Sequence, residues 1–202
     1  MGKTGESLAY RQSTSRDQLP ARSTPVDAFE AARHAFLSGR RLDMGALARD
    51  LGVSRATLYR WTGDRDNLLA DVLWVELDRL LDAAADQAGG SGVARIHAGV
   101  TWFLDAVAAA DPLRALLRDD GARAVRILTA PTGPIRPRLV GRIEELIAAE
   151  VREGGYRPPA PAGVLADGIV TVGERYLHND GDPELNPNPE TARVVISLLL
   201  RE

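Results

Sequence analysis

Apolar residues recur along most of the chain at the three- and four-residue spacing of an amphipathic helix. The first such stretch follows Pro25, and its apolar face of Ala28, Phe29, Ala32, Phe36 and Leu37 continues until Gly39. No stretch alternates convincingly between apolar and polar residues with the period of two that is typical of a strand. The pattern therefore predicts an all-α chain of about nine or ten helices.

Capping residues and glycines divide the first part of the chain into four predicted helices. Short polar side chains that can accept hydrogen bonds from a first helical turn stand at the predicted starts, namely Thr24, Asp43, Ser54 and Asp64. Glycines follow the first three helices, as Gly39, Gly52 and Gly63. The fourth helix is long, because its apolar stripe continues from Leu68 to Ala88 before a glycine-rich break.

Helical spacing continues to the end of the chain. Further helices are predicted over 93–110, a short stretch from Asp111, 121–130, 139–153, 162–178 and 189–201, with a break from Pro131 to Pro137. The last helix is apolar nearly all the way round, and such a helix is buried on more than one side. We therefore predict a homodimer in which a second copy covers one side. The alternative is that the last helix is buried on both sides within the core of its own chain.

The composition is that of a globular protein and excludes several classes. The 202 residues, 45% hydrophobic and 26% charged, allow one large domain or two small ones. The absence of cysteine excludes a disulfide scaffold, thiolate metal sites and a cysteine nucleophile. No apolar run reaches the roughly 18 residues of a membrane span. The polar composition of residues 1–23 predicts a flexible tail. Because the stretch from Met1 to Pro20 lacks the apolar core of a signal peptide, we expect a cytoplasmic protein.

The net charge of -3 conceals an uneven distribution. Residues 1–70 hold 11 basic and 8 acidic residues, whereas the remaining 132 residues hold 14 basic and 20 acidic ones. All but one of the basic residues are arginines, whose forked guanidinium suits phosphate and base contacts. This modest excess supports nucleic-acid binding only if the same segment also has the geometry for it.

The segment from Leu47 to Trp61 predicts that geometry. Two short helices are joined by a turn of three or four residues that contains Gly52, and the small Ala48 stands where the helices would cross. This is the helix-turn-helix arrangement. Its second helix is too short to be stable alone, so Leu58 and Trp61 must anchor it on its neighbours.

The opposite face of this second helix carries groups suited to a DNA duplex. Its predicted exposed residues are Arg55, Ala56, Thr57, Tyr59 and Arg60. Arginine can hydrogen-bond both O6 and N7 of guanine, while alanine and a threonine methyl suit the methyl group of thymine. Hydroxyls and guanidinium groups at a helix N-terminus also suit phosphate oxygens. The basic excess and the helix-turn-helix therefore coincide and predict double-stranded operator DNA as a partner.

These residues resemble the TetR family of one-component transcriptional regulators. The resemblance covers about a fifth of the chain, and its most specific segments are Gly52-Val53-Ser54, Thr57-Leu58-Tyr59-Arg60-Trp61 and Gly63-Asp64-Arg65-Asp66-Asn67-Leu68-Leu69. It implies an all-α homodimer with a three-helix DNA-binding domain, here at residues 24–70. The fourth helix then leads into a ligand-binding and dimerisation domain at residues 71–202.

The resemblance also assigns DNA contacts. It places the contacts of the recognition helix on Ser54, Arg55, Ala56, Thr57 and Tyr59. It places a phosphate contact on Arg65, where the family has a lysine at the start of the fourth helix. Arg41, which precedes the second helix, and Arg60 complete the predicted DNA-binding set.

Two positions depart from the family pattern. Asp43 replaces a threonine that touches a phosphate, and its carboxylate would repel that phosphate unless Arg40 or Arg41 neutralises it. Thr62 stands where the family often has phenylalanine, which loosens the apolar anchor between the third and fourth helices. Neither change touches the residues expected to read bases.

The resemblance further implies an effector pocket among the middle helices, lined by apolar and aromatic side chains with a few polar groups. The candidates are Trp74, His97, Trp102 and Phe103, with Arg126 and Tyr176 as polar markers. For each candidate the alternative is an ordinary core or surface residue. Abundant small aliphatic residues and scarce aromatics favour an aliphatic or acyl effector. The stretch from Trp61 to Leu69 also resembles a subgroup that controls the degradation of quorum-sensing lactones.

The expected mechanism is that of a ligand-responsive repressor. A dimer would sit on a roughly palindromic operator with one recognition helix per half-site. The fourth helix would couple the two sites, because Arg65 at its start would touch DNA while Trp74 would reach the pocket. Because repressors are the commoner members of the family, the resemblance implies that effector binding releases the DNA.

Neither an enzyme nor a cofactor is expected. The three histidines, His34, His97 and His178, are far apart, and the sequence has no phosphate loop, nucleophile elbow or paired-histidine motif. The alternative is a helical enzyme or an interaction module in which the helix-turn-helix is only a packing unit. A metal site built from His97, His178 and carboxylates is part of that alternative.

Overall fold

The computed structural model describes residues 23–177 and 189–201, and these residues form nine helices without any strand. In chain order they are α1 (Pro25–Leu37), α2 (Met44–Asp50), α3 (Arg55–Thr62), α4 (Arg65–Gln87), α5 (Gly92–Ala109), α6 (Asp111–Thr129), α7 (Arg136–Arg152), α8 (Ala162–Leu177) and α9 (Pro189–Leu199). The all-α prediction is confirmed. Apart from Ser23, the predicted tail lies outside the described residues, as does His178.

The first four helices begin after the residues predicted to cap them. In α1 the cap is reciprocal, since the Asp27 N–H donates to Thr24 Oγ1 at 3.3 Å and the Thr24 N–H donates to the Asp27 carboxylate at 2.7 Å. The glycines that follow α1, α2 and α3 have φ angles of 65°, 65° and 67°, in the left-handed region that favours glycine, namely Gly39, Gly52 and Gly63. Local sequence therefore fixes where this part of the chain turns.

The helices α1, α2 and α3 share one apolar core. Ala28 and Ala32 of α1, Leu47 of α2 and Leu58 of α3 are all buried in this core, and Leu58 has no exposed surface. A helix of eight residues is not stable alone in water. Tertiary packing through Leu58 therefore holds α3 in place, as the sequence predicts.

The 23 residues of α4 join this core to the rest of the molecule. The buried stripe of α4 packs on α1 near its start, through Leu68 and Val72, and on α5 further along, through Leu77 and Leu81. One hydrophobic cluster extends without interruption from α1 to α9. The division of the chain at residue 70 therefore stays a prediction.

The element α6 consists of two helical segments that meet at a kink, as the sequence predicts. Its backbone leaves the helical range at Asp120, with φ -148° and ψ 47°, directly before the predicted start of the second segment at residue 121. The neighbouring Gly121 and Asp119 favour such an interruption. Pro137, expected in the following break, instead lies in the first turn of α7, where its missing N–H costs no hydrogen bond.

Packing among the last helices encloses the interior of the molecule. The carboxylate of Glu150 in α7, 1% exposed, accepts the Gly92 N–H at 2.6 Å and so ties α7 to the start of α5. The hydroxyl of Tyr156 donates to the Leu200 carbonyl at 2.9 Å and ties the end of α7 to α9. Among the described helices, none combines the length and the apolar character that a membrane span requires.

Candidate DNA-binding surface and ligand cavity

A tight turn sets the angle between α2 and α3. Gly52 adopts the left-handed conformation, and the next N–H, that of Val53, donates back to the Ala48 carbonyl at 3.0 Å. Ala48 is 2% exposed and offers only a methyl group where the two helices meet. The turn directs one face of α3 away from the core, as in a helix-turn-helix.

The two hydroxyls predicted to contact DNA also cap α3. Ser54 Oγ accepts the Thr57 N–H at 3.0 Å and lies 2.9 Å from the Thr57 hydroxyl. Ser54 therefore stabilises the start of α3, and each of the two hydroxyls has the other as a partner. Their contact with DNA stays a prediction.

The other predicted recognition residues lie at the surface and border an open groove. The exposed residues of α3 are Arg55, Ala56, Tyr59 and Arg60, with Tyr59 47% exposed. A groove of about 630 Å³ runs between α2, α3 and the start of α4, and its polar lining includes Arg41, Arg55, Tyr59 and Arg65. The structure thus brings together residues from three separate segments that the sequence analysis assigned to DNA binding.

Five arginines in and just before α2 and α3 have no carboxylate oxygen within 4.0 Å in the described ranges. They are Arg40, Arg41, Arg49, Arg55 and Arg60. Most arginines in α4 to α9 are held in ion pairs, for example by Glu76, Asp105 and Asp167. Arginines there without an ion-pair partner among the described residues, such as Arg152 and Arg157, are scattered and not clustered. Guanidinium groups without a carboxylate partner are available to an external anion, and DNA carries one phosphate charge for every 1.7 Å or so of duplex.

Asp43 caps α2 as predicted, but the cations beside it differ from those expected. Its carboxylate accepts the Gly45 and Ala46 N–H groups at 2.7 and 2.9 Å. These backbone hydrogen bonds, first that from Ala46, lower the pKa of Asp43 below its ordinary value, and the nearby charges of Arg49 and Arg55 add to the effect. The charges that act on Asp43 are therefore those of Arg49 and Arg55 and not those of Arg40 or Arg41, because α3 brings Arg55 to the start of α2.

Arg65 lies at the groove but is already engaged. It is the first residue of α4, its side chain is 15% exposed, and its Nη1 donates to Asp120 Oδ2 at 3.1 Å. Asp120 is the kinked residue of α6. The residue predicted to touch a DNA phosphate is thus bound to the helix that forms much of the ligand cavity.

Further ion pairs join the start of α4 to α6. Asp66 accepts from Arg123 at 2.6 Å and from Arg126 at 2.8 Å, and Arg123 also lies 3.1 Å from Asp120. Burial raises the pKa of Asp66, but the hydrogen bonds from Arg123 and Arg126 outweigh it, and the net effect is a pKa below the ordinary value. Charged Asp66 therefore stabilises the contact between α4 and α6.

A cavity of about 650 Å³ lies among the helices that follow α3. Its wall is mostly aliphatic and comes from α4 to α9, including Leu77, Val100, Phe103, Leu104, Val107, Leu113, Leu117, Val125, Leu128, Leu139, Ile143, Ile169 and Val170. The sequence analysis missed α6 as the principal wall. The available signal was the four-residue spacing of Leu113, Leu117, Gly121 and Val125, which places all four on one face.

The charged side chains in the cavity wall are paired with other charges. Arg193 donates to both carboxylate oxygens of Asp105, at 2.6 and 2.7 Å. Glu174 lies 3.1 Å from Arg136 Nε. Arg114 pairs with Asp111, and Arg118, which is 71% exposed, lies 3.7 Å from Asp119. The interior therefore offers an apolar volume with compensated charges around it.

Of the six predicted effector residues, Phe103 lines this cavity, and four others lie elsewhere. Trp74 packs beneath the Arg138 guanidinium, 5.4 Å from the ring centroid, and Trp102 packs against the core. His97 Nε2 lies 3.4 Å from the Arg193 carbonyl oxygen, and Arg126 is exposed and bound to Asp66. The expected route from Arg65 to the cavity through Trp74 is therefore corrected. The side chain of the sixth, Tyr176, lies outside the described residues.

The last helix has two apolar faces, as predicted. Ala192, Ile196 and Leu200 are buried against the rest of the chain, whereas Val194 and Leu198 are 51% and 49% exposed. On the neighbouring α8, Val164 is 62% exposed. Exposed aliphatic side chains concentrated on two adjacent helices are typical of a surface that a partner covers.

The described residues contain no group of three or more histidine, aspartate or glutamate side chains that could hold a metal ion. His34 is exposed on α1, and His97 lies between α5 and α9. His178, the other histidine of the alternative metal site, lies outside the described residues.

Comparison with known proteins identifies the family to which this arrangement corresponds. Residues 91–201 match the family model described as "Tetracyclin repressor-like, C-terminal domain". No curated protein sequence matches the chain.

Solved structures resemble the chain over most of its length. The R. erythropolis transcriptional repressor QsdR, from the TetR family, is 31% identical, with a TM-score of 0.79 over 87% of this chain and 93% of its own. The Dietzia sp. repressor AlkX, implicated in biodegradation of n-alkanes, is 22% identical, with a TM-score of 0.59 over 88% and 96%. The regulator FadR from Bacillus subtilis, solved with stearoyl-CoA, is 10% identical, with a TM-score of 0.52 over 88% and 100%. The last two share the fold alone.

Proposed function

The chain belongs to the TetR family of transcriptional regulators, and on that premise we propose that it binds operator DNA through α3 and the arginines around it. The family members are ligand-responsive DNA-binding proteins, not enzymes, and they form dimers. The observation that carries the proposal is the set of five arginines in and before α2 and α3 that lack a carboxylate partner in the described ranges. Guanidinium groups clustered without ion pairs repel one another and do not stabilise the fold, but they favour binding to a polyanion.

The proposed contacts follow from where each side chain lies. The exposed face of α3, with Ala56, Tyr59 and Arg60, enters the major groove of one half-site, and Arg55 lies at the edge of that face beside α2. Arg41 and Arg65 border the adjacent groove of the protein, where they contact phosphates. In a dimer the two copies of α3 meet successive half-sites of a roughly palindromic operator. Since its target is chromosomal DNA, the protein acts in the cytoplasm.

We infer that the effector is a largely aliphatic molecule without a net charge. A cavity of about 650 Å³ is large enough for a molecule of drug or lipid size, and its wall is mostly aliphatic. A buried ionic head group would need an opposite charge to offset its lost hydration. The cavity-lining Arg193 and Glu174 are already balanced by Asp105 and Arg136. These features favour a neutral acyl compound such as a lactone or ester, and they fit the lactone-degradation subgroup that residues Trp61 to Leu69 resemble.

We propose that effector binding reaches the DNA-binding surface through α6. This helix contributes much of the cavity wall on both sides of Asp120, and Asp120 itself holds Arg65. An effector that prefers one arrangement of α6 changes DNA affinity by the same coupling free energy. Repression relieved by the effector is the form of regulation that we propose.

The test is a gel-shift series on the DNA upstream of the protein's own gene. We expect a shift whose affinity falls steeply with rising salt, because phosphate contacts release counterions. The double variant Arg55→Ala with Tyr59→Ala should lose the shift. The control, Arg152→Ala, removes an exposed arginine at the far end of α7 and should keep it. A folded wild-type protein that binds no duplex at low salt would refute operator binding.

A γ-lactone with a medium-length alkyl chain should weaken the shift at micromolar to millimolar concentration. The carboxylate obtained by opening the same lactone is the matched comparison, because it differs chiefly in charge. Release by the lactone and not by the carboxylate supports a neutral effector. Release by the carboxylate alone would contradict it.

A further inference from the structure

The side chain of Arg55 lies across the first turn of α2 instead of projecting away from the protein. The residue beneath it is Gly45, and a Cβ placed on Gly45 would lie 2.5 Å from Arg55 Nη2 and 3.2 Å from Arg55 Cζ. A contact of 2.5 Å is shorter than real Cβ contacts allow, so the guanidinium occupies space that any other residue at position 45 would fill. Gly45 therefore permits this orientation of Arg55.

The groups around Arg55 hold its positive charge at the rim of the groove. Asp43 lies close enough for the charge of Arg55 to lower the Asp43 pKa, and Arg41 and Arg65 line the same groove. Asp43 also caps α2 through two backbone hydrogen bonds, so its carboxylate is fixed in position. The result is a concave surface with three guanidinium groups and the Tyr59 side chain around it.

The helical position of Arg55 agrees with this placement. At about 100° per residue, the direction opposite the buried Leu58 and the partly buried Trp61 falls near Ala56. Tyr59 and Arg60 lie about 50° from that direction, whereas Arg55 lies about 90° from it, on the side facing α2. Ala56, Tyr59 and Arg60 are therefore the residues that point most directly into a duplex.

We propose that Arg55, positioned by Gly45, binds a DNA phosphate together with Arg41 and Arg65 and does not read a base. This assignment rests on the operator binding proposed above and divides its contacts into two classes. The groove between α2, α3 and α4 holds the sugar-phosphate backbone, and the forked guanidinium of Arg55 matches a phosphate with two parallel hydrogen bonds. Sequence discrimination falls to Ala56, Tyr59 and Arg60.

The two classes differ in a measurable way. A phosphate contact strengthens binding to every duplex and contributes about 0.9 to the slope of log affinity against log salt. A base contact strengthens binding to the operator alone. The ratio between the dissociation constants for random and operator DNA therefore separates them.

The experiment uses the full-length protein, an operator selected from random duplexes, and a random 30-base-pair duplex at several salt concentrations. We expect Arg55→Ala to weaken binding to both duplexes by about tenfold, as loss of one charge-assisted hydrogen-bonding group does. The random-to-operator ratio should stay constant, and the salt slope should become shallower by about 0.9. Arg60→Ala is the matched variant on the same helix, and it should reduce the ratio.

Gly45→Ala tests the positioning role. The added methyl chiefly displaces the end of the flexible Arg55 side chain and lies 3.2 Å from Asp43 Oδ1, a contact that a small shift relieves, so the variant should fold, as circular dichroism and thermal unfolding can check. We expect a smaller loss than for Arg55→Ala on both duplexes, and no further loss when Gly45→Ala is added to Arg55→Ala. Additive losses would contradict positioning through Arg55.

Two results would overturn the assignment. If Arg55→Ala lowers the random-to-operator ratio and leaves random-DNA affinity and the salt slope unchanged, Arg55 reads a base. If the wild-type protein binds neither duplex, operator binding itself fails, and the assignment fails with it. The first result leaves the proposed function intact, so the two failures are distinguishable.

Discussion

Arg65, the first residue of α4, donates a hydrogen bond to Asp120, the kinked residue of α6, across 3.1 Å. The two residues belong to different functional regions. Arg65 lines the groove proposed to hold DNA phosphates, while Leu117, Arg118 and Gly121 around the kink line the ligand cavity. Because Asp120 neutralises the charge of Arg65 and holds its side chain, we expect the ion pair to compete with a DNA phosphate.

Removing the charge of Asp120 should therefore strengthen DNA binding. For Asp120→Asn we expect operator affinity to rise about twofold to fivefold, the range typical of a partly exposed ion pair. The salt slope should become steeper by up to about 0.9, since Arg65 gains a phosphate. Gel shifts or fluorescence anisotropy at several salt concentrations measure both quantities.

Asp119→Asn is the matched control for that variant. It removes the same charge one residue away, where the carboxylate is more than half exposed and lies 3.7 Å from Arg118. An equal gain in affinity for both variants would indicate a general effect of net charge. In that case the pair between Arg65 and Asp120 has no role of its own.

The ion pairs of Asp66, which also join α4 to α6, predict that the stability of the protein depends on pH. Asp66 has a pKa below its ordinary value because the hydrogen bonds from Arg123 and Arg126 outweigh its burial. Its ion pairs therefore stabilise the fold fully above the unfolded pKa of about 3.9, and this stabilisation is lost as the pH falls through the folded pKa.

We expect Asp66→Asn to lower the free energy of unfolding by about 1 kcal/mol at pH 7, because Arg126 is largely exposed and its contact is screened. The difference between variant and wild type should be constant above about pH 5 and narrow below about pH 4. Urea unfolding of both proteins between pH 7 and pH 3 measures it. A difference that does not narrow at all between pH 5 and pH 3 would show that the carboxylate charge is not responsible.

Local signals in the sequence predicted the DNA-binding part of the fold correctly. Thr24, Asp43, Ser54 and Asp64 cap α1 to α4 because a short polar side chain satisfies the first turn whatever the rest of the chain does. The burial of Leu58 followed from the shortness of α3. Where helices begin and which face is apolar are properties of a few consecutive residues, and sequence reasoning reaches them.

The ligand cavity was much less predictable. Trp74 and Phe103 both stand in apolar helical stripes, yet Phe103 faces the cavity and Trp74 packs beneath Arg138. The choice depends on how α4, α5 and α7 are rotated against one another. The pair between Arg65 and Asp120 joins residues 55 positions apart, so no local pattern contains it. Sequence alone identifies helix faces but not which faces meet.

Phe103 should determine how long an aliphatic effector can be. With Val100 and Ile143 it separates the main cavity from a groove of about 200 Å³ between α4, α5 and α7. Phe103→Ala should join the two volumes and admit longer chains, each additional buried methylene contributing about 0.8 kcal/mol, or roughly fourfold in affinity. Affinities for a series of γ-lactones of increasing alkyl length measure the shift.

Trp102→Ala is the control for chain-length selection. Trp102 precedes Phe103 on α5 but does not line either volume. We expect it to alter stability without changing the preferred chain length. If Phe103→Ala binds the lactones with an unchanged optimum, the two volumes do not communicate through this residue.

The exposed aliphatic side chains of α8 and α9 should form the dimer interface. Leu198→Glu places a charge at the centre of a patch with Val194 and Val164, and burying that charge in an interface would be costly. We expect the variant to sediment as a monomer. Because a monomer carries a single recognition helix, operator affinity should fall by at least tenfold, while random-DNA affinity should fall less.

The matched control for this substitution is Val26→Glu, since Val26 is 67% exposed on α1 and distant in sequence from the patch. It introduces the same charge change on an exposed aliphatic residue and should leave the protein dimeric. Sedimentation velocity of both variants at equal concentration separates a specific interface from a general effect of added charge. A Leu198→Glu protein that remains dimeric would move the interface away from α9. The exposed apolar face of α9 would then have to be covered by something other than a second copy of the chain.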